Sequence, residues 1–290
     1  MIFINIGILG GDLRIIFLSK LLIEEGHIVY SYGIEKESEY NQTEKCSSIE
    51  EMCNICNIII SSVPFSKDGI NINSPFSNNK ISINKAIRVL QNKTLIAGAI
   101  NHEIKEKAKE LNIEIVDLMD DEQLTVSNII PTVEGAIYVA MENTKYTIHG
   151  SNCLILGYGR IGKLLSKTLK DLGANVSVEA RKDSDISWIK VYRYKDIHLD
   201  SLSKELDKNR YDIIFNTIPT LILDDKKLKI IKDKNKDTLI IELASNPGGV
   251  DYIKANEYNI SVIKALGLPG RIAPYSSAKY IKEAIDKILN

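Results

Sequence analysis

Gly157-Tyr158-Gly159-Arg160-Ile161-Gly162 places three glycines at the spacing that brings a backbone against a phosphate. The hexapeptide alone is weak evidence, because glycine-rich turns are common. Its surroundings carry more. The apolar run Cys153-Leu-Ile-Leu156 leads directly into it. Leu164, Leu165, Thr168, Leu169 and Leu172 follow at helical spacing, Gly173 closes that helix, and another apolar run comes next. In such a strand–loop–helix–strand unit the first glycine permits the tight turn and the second admits a pyrophosphate. The third lets helix and strand pack closely, and the helix N-terminus attracts the phosphate charge. The chemistry implied is dinucleotide binding and, with it, hydride transfer.

The end of the next strand chooses between dinucleotides. An NAD site sets Asp or Glu there, about 20 residues beyond the loop, on the ribose 2′-hydroxyl. Here the position falls at Ala180, followed by Arg181 and Lys182, with Ser184 close behind. A small residue leaves room for a 2′-phosphate, and a guanidinium binds phosphate bidentately. NADP is therefore the expected cofactor, with NAD the alternative. Glu179 is one residue early, so strand alternation should send it to the opposite face.

Three further loops follow apolar runs in the same way. They are Thr217-Ile218-Pro219 after Ile213–Asn216, Ala244-Ser245-Asn246-Pro247-Gly248-Gly249 after Thr238–Leu243, and Gly267-Leu268-Pro269-Gly270-Arg271 after Ile260–Lys264. Open α/β sheets bind ligands at the carboxyl ends of their strands, so these loops are expected beside a nicotinamide or a small substrate.

The elements that must carry these loops alternate along the whole chain. The pattern predicts strands at Ile2–Leu9, His27–Tyr32, Ile58–Val63, Thr94–Ala99 and Ile113–Asp117. It predicts helices at Leu13–Glu25, Ile81–Leu90 and Glu103–Leu111, with a turn-rich loop over 66–80. A helix over 128–143 tolerates Pro131 in its first turn. The second half holds the strands Asn152–Leu156 and Asn175–Ala180 around the helix Lys163–Leu172, and a last helix covers Ser276–Leu289. Alternating β and α elements mean parallel sheets. The expected class is α/β, two Rossmann-like domains with doubly wound parallel sheets. The expected division is an N-terminal domain over 1–125, a connecting helix over 126–146, a dinucleotide domain over 147–272, and a C-terminal helix over 273–290 packing back on the first domain.

Composition excludes several other classes. The 290 residues carry 37 Lys+Arg against 38 Asp+Glu, a net charge of −1. That balance argues against electrostatic nucleic-acid binding, and 44% hydrophobic content argues against disorder. No wholly apolar run approaches the ~18–20 residues of a membrane span. The N-terminal MIFINIGILGGD lacks a basic n-region, so a cytoplasmic protein is expected. Cys46, Cys53, Cys56 and Cys153 are too few for a disulfide scaffold, and no second CxxC or HxxxH pair completes a metal site. They are expected to be reduced thiols, with Cys56 entering a strand and no metal bound.

Asn128-Ile-Ile-Pro-Thr-Val-Glu-Gly135, Tyr146-Thr-Ile-His-Gly150, LGYGRIG, Asn216-Thr-Ile-Pro219, Ala244-Ser-Asn-Pro-Gly-Gly249 with Asp251, and Gly267-Leu-Pro-Gly270 with Ala273-Pro274 together resemble the A-subunit family of dipicolinate synthase. Gly10-Gly-Asp12 and Arg14 fit as well; the stretch 35–80 supports the match poorly. The resemblance implies an architecture like that of D-2-hydroxyacid dehydrogenases, with a cleft between the domains. It implies that the partner is a flavoprotein-like B subunit, in a homo- or hetero-oligomer. It also implies oxidation of a dihydrodipicolinate-type intermediate with NADP in the mother cell of a sporulating bacterium. Glu179 departs from the family, which tends to have a small residue there.

A dicarboxylate substrate needs cations or N–H donors at each end. Arg271 is the first candidate, and the Pro247-Gly248-Gly249 backbone and Pro269 are the next. Ser62, Pro64 and Ser66 from the first domain and Thr132 from the connecting helix are expected near the substrate. Glu134 or Asp251 would accept the proton. Glu134 equally suits a first-turn acid complementing a helix dipole. His149 is expected to be structural. A 2-hydroxyacid or amino-acid dehydrogenase is the competing enzyme, although residues 240–290 contain no His. A non-catalytic NADP-binding scaffold is the third reading. Arg181→Ala should weaken NADP by about tenfold or more, the loss of a charge-assisted bond, while leaving NAD nearly unchanged. Equal losses, read by calorimetric titration, would remove the 2′-phosphate assignment.

Overall fold

The computed structural model describes residues 3–36 and 42–289. Ile2, at the head of the first expected strand, lies outside them. Two six-stranded sheets, parallel throughout, organise the chain. The first holds β1 (Asn5–Leu9), β2 (Ile28–Tyr32), β3 (Glu44–Lys45), β4 (Ile58–Ser61), β5 (Thr94–Ala97) and β6 (Glu114–Asp117), in the order β3-β2-β1-β4-β5-β6. The second holds β7 (Asn152–Leu156), β8 (Asn175–Ala180), β9 (Lys195–His198), β10 (Ile213–Asn216), β11 (Leu239–Glu242) and β12 (Ser261–Lys264), in the order β9-β8-β7-β10-β11-β12. Both orders are doubly wound, and each reverses between its first and fourth strand. Their central strands read as continuous apolar runs because helices cover both faces. Ile6, Ile8, Ile59, Ile60, Leu95, Ile213, Ile214, Phe215 and Ile241 are all fully buried.

The helices of the first sheet are α1 (Leu13–Glu24), α2 (Ile49–Ile55), α3 (Ile83–Val89), α4 (His102–Glu110) and α5 (Glu122–Ser127). Those of the second are α6 (Ile129–Asn143), α7 (Arg160–Asp171), α8 (Asp183–Val191), α9 (Leu202–Lys208), α10 (Asp225–Lys234) and α11 (Tyr252–Glu257). The chain ends with α12 (Leu268–Ile272) and α13 (Pro274–Leu289). Contacts divide it into Met1–Asn128 with Pro269–Asn290, and Ile129–Leu268. In the first unit α13 lies along α1 and α5, burying Ala278, Ile281 and Ile285. In the second, α6 packs on α7 and β11.

These boundaries correct the expected ones. The helix read as a connector over 126–146 is α6, and its contacts make it part of the second unit. Residues 269–272, expected to close the dinucleotide domain, fall in the first. Residues 122–143 also form a helical stretch of 22 positions apolar enough on average to cross a membrane. No single apolar run revealed it, because polar positions interrupt it. Its apolar residues Val133, Ala136, Ile137 and Ala140 are buried, the pattern of a core helix. Two local readings also change. Cys56 does not enter a strand but caps the C-terminus of α2, its N–H reaching Met52 O. Leu172 caps α7 at 40% exposure and does not face the sheet. Burial raises the thiols of Cys53 and Cys153 to about 11 and that of Cys56 to about 12, so all three stay protonated at neutral pH.

Strand ends in the first unit are held by carboxylates. Asp117, at the end of β6, accepts Ala99 N at 2.9 Å, Ile100 N at 3.0 Å and Met119 N at 3.0 Å, and pairs with Lys105 at 2.8 Å. Ala99 is left-handed at φ 53°, so the loop after β5 depends on this anchor. Burial disfavours the charged form, but Lys105 and the three N–H groups outweigh it and lower the Asp117 pKa. A carboxylate whose folded pKa lies below its unfolded value stabilises the fold above the unfolded value, about 3.9, and loses that contribution as pH falls through the folded one. Asp117→Ala should cost roughly 1–3 kcal/mol at pH 7 in urea denaturation, with the deficit shrinking below about pH 4.

Candidate functional site

The two sheets begin alike and then diverge at the first βα turn. In the first unit Asp12 caps α1, its carboxylate accepting Arg14 N at 3.1 Å, Nε at 3.0 Å and a terminal guanidinium nitrogen at 2.7 Å. The same guanidinium donates to Val63 O, and Arg14 is 5% exposed. The positive end of α1 is thus neutralised by the chain's own carboxylate. In the second unit Gly159 caps α7 in extended conformation with no side-chain hydrogen bond. No side chain closes that N-terminus, so its positive end faces the space in which an external anion could sit.

Close packing holds it there. A Cβ on Gly162 would stand 2.1 Å from Gly157 O, so only glycine lets α7 approach the end of β7. Gly157 has φ 94°, and a Cβ there would meet Thr217 Oγ1 at 2.5 Å. Nothing lies within 4 Å of a Cβ on Gly159. The space above the loop is a cavity of about 440 Å³, within the roughly 300–1,000 Å³ of ligand pockets. Gly157, Tyr158, Gly159, Ala180, Arg181, Lys182 and Ile218 line it, as the sequence led one to expect. Tyr158 is nearly buried, with Lys163 Nζ 5.6 Å from its ring centre, and burial pushes its hydroxyl up to about 12. Arg160, Ile161 and Gly162 form the first turn of α7, below the cavity lining.

Glu179 corrects the expectation based on alternation. It lines the cavity, is 1% exposed, and its Oε2 accepts Gly157 N at 3.1 Å. The Gly157 N–H is shared between this carboxylate and the Glu179 carbonyl, at 3.2 Å, so the side chain lies over the strand end. Burial raises its pKa, against the Gly157 hydrogen bond and the charges of His198 and Arg181. Asp185, Leu199, Thr220, Leu221, Ile222 and Lys227 complete the lining; sequence spacing gave no sign of them. Ser184, expected at the phosphate, is exposed on α8 and outside the lining.

A second buried carboxylate organises the loops after β10 and β11. Glu242 Oε1 accepts Asn216 Nδ2 at 2.8 Å and Ala244 N at 3.0 Å, while Oε2 accepts Gly249 N at 2.9 Å and Tyr252 OH at 3.4 Å. Asn216 Nδ2 also reaches Ile218 O at 3.0 Å. Thr217 Oγ1 bonds Leu156 O at 2.8 Å, tying the β10 loop to β7. Thr217, Pro219, Ala244 and Ser245 therefore sit at adjacent strand ends, outside the cavity lining. Pro247 is exposed, and Gly248 and Gly249 are buried around Glu242. Glu242 was legible only as an acid at the end of the apolar run Leu239–Ile241.

Other expected site residues have structural tasks. Asp251 caps α11, its Oδ1 accepting Lys254 N at 3.0 Å, and lies outside the cavity lining. Glu134 is exposed on α6, where Thr132 is half-buried. Pro269 and Arg271 form a helical turn, α12, in place of the expected loop, and belong to the first unit. Ser62 is fully buried and donates to Phe65 O at 3.2 Å; Ser66 donates to Asn71 O at 2.6 Å; Pro64 follows a cis bond. All three shape the loop after β4. His149 is exposed beside Gly173.

Two doubly wound units, one of them with an open glycine loop, define a dehydrogenase-type dinucleotide fold. L-alanine dehydrogenase shares it at a TM-score of 0.65 and 11% identity, over 99% of this chain and 89% of that one. Residues 5–119 match the family model for the N-terminal domain of the dipicolinate synthase A subunit. The chain is 31% identical to the dipicolinate synthase A subunit of Bacillus subtilis (strain 168), over 99% of this chain and 96% of that protein. The crystal structure of a dipicolinate synthase A chain from Bacillus subtilis superposes at a TM-score of 0.85 with 30% identity, covering 100% of this chain and 96% of that one. The Bacillus halodurans counterpart superposes at 0.86 with 27% identity, covering 99% and 97%. The chain belongs to the A-subunit family of dipicolinate synthase.

The glycines separate packing from ligand contact. Gly162→Ala should lower both the melting temperature and dinucleotide affinity, because Gly157 O must move. Gly159→Ala should leave stability within about 0.5 kcal/mol, since its φ of −78° suits any residue. It should still weaken dinucleotide binding about tenfold or more by holding the pyrophosphate off the loop. Thermal denaturation and titration with NADP distinguish the two; unchanged NADP binding by Gly159→Ala would put the phosphate elsewhere.

Proposed function

We propose that this chain is the dinucleotide-binding subunit of a dipicolinate synthase, oxidising a dihydrodipicolinate-type intermediate to dipicolinate with NADP. In this reading the partner is a flavoprotein-like B subunit, and the place of action is the mother-cell cytoplasm. One observation carries it beyond family membership: the N-terminus of α7, which no side chain caps, opens into a cavity lined by Ala180, Arg181 and Lys182 beside the buried Glu179. The donor set fits a nicotinamide dinucleotide phosphate. The positive N-terminal end of α7 would take the pyrophosphate, and Gly159 leaves the space for it. Arg181 and Lys182, both exposed, would take the 2′-phosphate.

A nicotinamide dinucleotide held by the α7 N-terminus, Arg181 and Lys182 would supply a hydride acceptor, and loss of a hydride and a proton would leave the dihydropyridine ring aromatic. Aromatisation favours the reaction, so the protein's main task is to hold the two rings in register. Glu242 would serve that task by holding the 216–220 loop through the Asn216 side chain and the 244–249 loop through Ala244 N and Gly249 N.

The capping role of Asp251 favours one further reading, a non-catalytic NADP-binding subunit whose partner supplies the base. The purified chain, with and without a flavoprotein-like B subunit, is mixed with NADP and the aldol product of aspartate semialdehyde and pyruvate. NADPH and the near-ultraviolet absorbance of the pyridine product should rise together. Tight NADP binding with no turnover in any pairing would select the non-catalytic reading, and absence of NADP binding would overturn both.

A further inference from the structure

Glu179 sits where a negative charge opposes the ligand the cavity is otherwise built to take. Its carboxylate is 1% exposed, lies in the cavity lining and is bonded to the Gly157 amide at 3.1 Å. Ala180, the next residue, occupies the strand-end position at which an acid would bind ribose hydroxyls, and Arg181 follows at the rim. The Gly157 bond occupies Oε2 and holds the carboxylate against the turn. The carboxylate remains within electrostatic range of whatever the rim binds, because little water screens it.

We infer that Glu179 is a specificity-determining residue of the cofactor pocket. Its charge penalises the extra negative charge of a 2′-phosphate, so that the preference of Arg181 and Lys182 for NADP over NAD is held down while Glu179 is ionised and released when it is protonated. The inference rests on the dinucleotide reading of the cavity. The groups facing this carboxylate set the range over which it switches. Gly157 N–H comes from the loop before α7, and Arg181 follows β8. His198 ends β9, standing 3.9 Å from Asp183 and 3.5 Å from Asp200. Lys182, Asp185 and Lys227 line the same cavity. Burial is the largest influence and favours the neutral carboxyl. The penalty on NADP is therefore greatest at high pH and fades as pH falls.

Glu179→Gln tests this, because the amide oxygen still accepts the Gly157 N–H and only the charge is lost. NAD and NADP are titrated calorimetrically into the full chain, wild type and variant, from pH 5.5 to 8.5. The variant should bind NADP roughly threefold to tenfold more tightly at pH 8, the scale of one partly screened unit charge, with NAD changed less than twofold. The advantage should shrink as pH falls. The 2′-phosphate itself titrates near pH 6 and loses part of its charge there, so the comparison at pH 8, where it is fully ionised, reads the Glu179 charge. Equal tightening of NAD and NADP, or a gain in NADP affinity independent of pH, would overturn the inference and leave dinucleotide binding standing. A wild-type chain that binds neither dinucleotide would overturn the cofactor reading and this inference with it. Should Glu179→Gln not fold, Glu179→Ala, which removes the charge and the hydrogen bond, is judged by the same ratio of affinities.

Discussion

Everything proposed for this chain depends on the contact between Gly162 and the Gly157 carbonyl. It draws the N-terminus of α7 onto the end of β7 so tightly that no Cβ fits between them. The consequence is electrostatic. A helix end carries about half a positive charge and several unbonded N–H groups, and Gly159 offers no side chain to occupy them. The same turn in the first unit is closed by Asp12 and Arg14, so one doubly wound sheet presents an open anion site and the other does not. Two units of the same strand order are thereby set to different work by the residue at one helix cap.

Buried carboxylates at strand ends are the second recurring device. Asp117 and Glu242 end parallel strands and Glu179 stands one residue before the end of β8, and each accepts backbone N–H from a following or neighbouring loop. Such loops leave the sheet without ladder partners, and an unsatisfied buried N–H costs about 1–3 kcal/mol. A carboxylate accepts several of them at once. This explains why acids terminate otherwise apolar runs here, and why Glu179 carries both a structural bond and an electrostatic effect on the cavity above it.

Much of the architecture was legible because parallel strands covered on both faces read as Ile- and Leu-rich runs. Asn152–Leu156, Asn175–Ala180 and Ile213–Asn216 fall where those runs stand. The two-residue strand β3 and helix α2 escaped notice, since neither is long enough to show periodicity. The cavity's glycine loop and its cationic rim were also readable, as they are contiguous in the chain. Lys227, Leu199 and Thr220 were not, because they reach the cavity from separate loops and helices. Asp251 looked like a base and proved to be a cap, since a capping Asp and a catalytic Asp are the same letter.

By itself the sequence determined the alternation of strand and helix, the phosphate loop, the missing acid at Ala180 and the family resemblance. Each is carried by local order along the chain: periodicity, glycine spacing, motif. Only the tertiary structure decided which carboxylates are buried, that Glu179 turns toward Gly157 and not away, that Glu242 fastens two loops at once, and that α6 belongs to the second unit while Arg271 belongs to the first. Those outcomes depend on which donors lie nearest once the strands are paired. Hydrogen-bond satisfaction across strands 20 or more residues apart leaves no periodic trace in the chain.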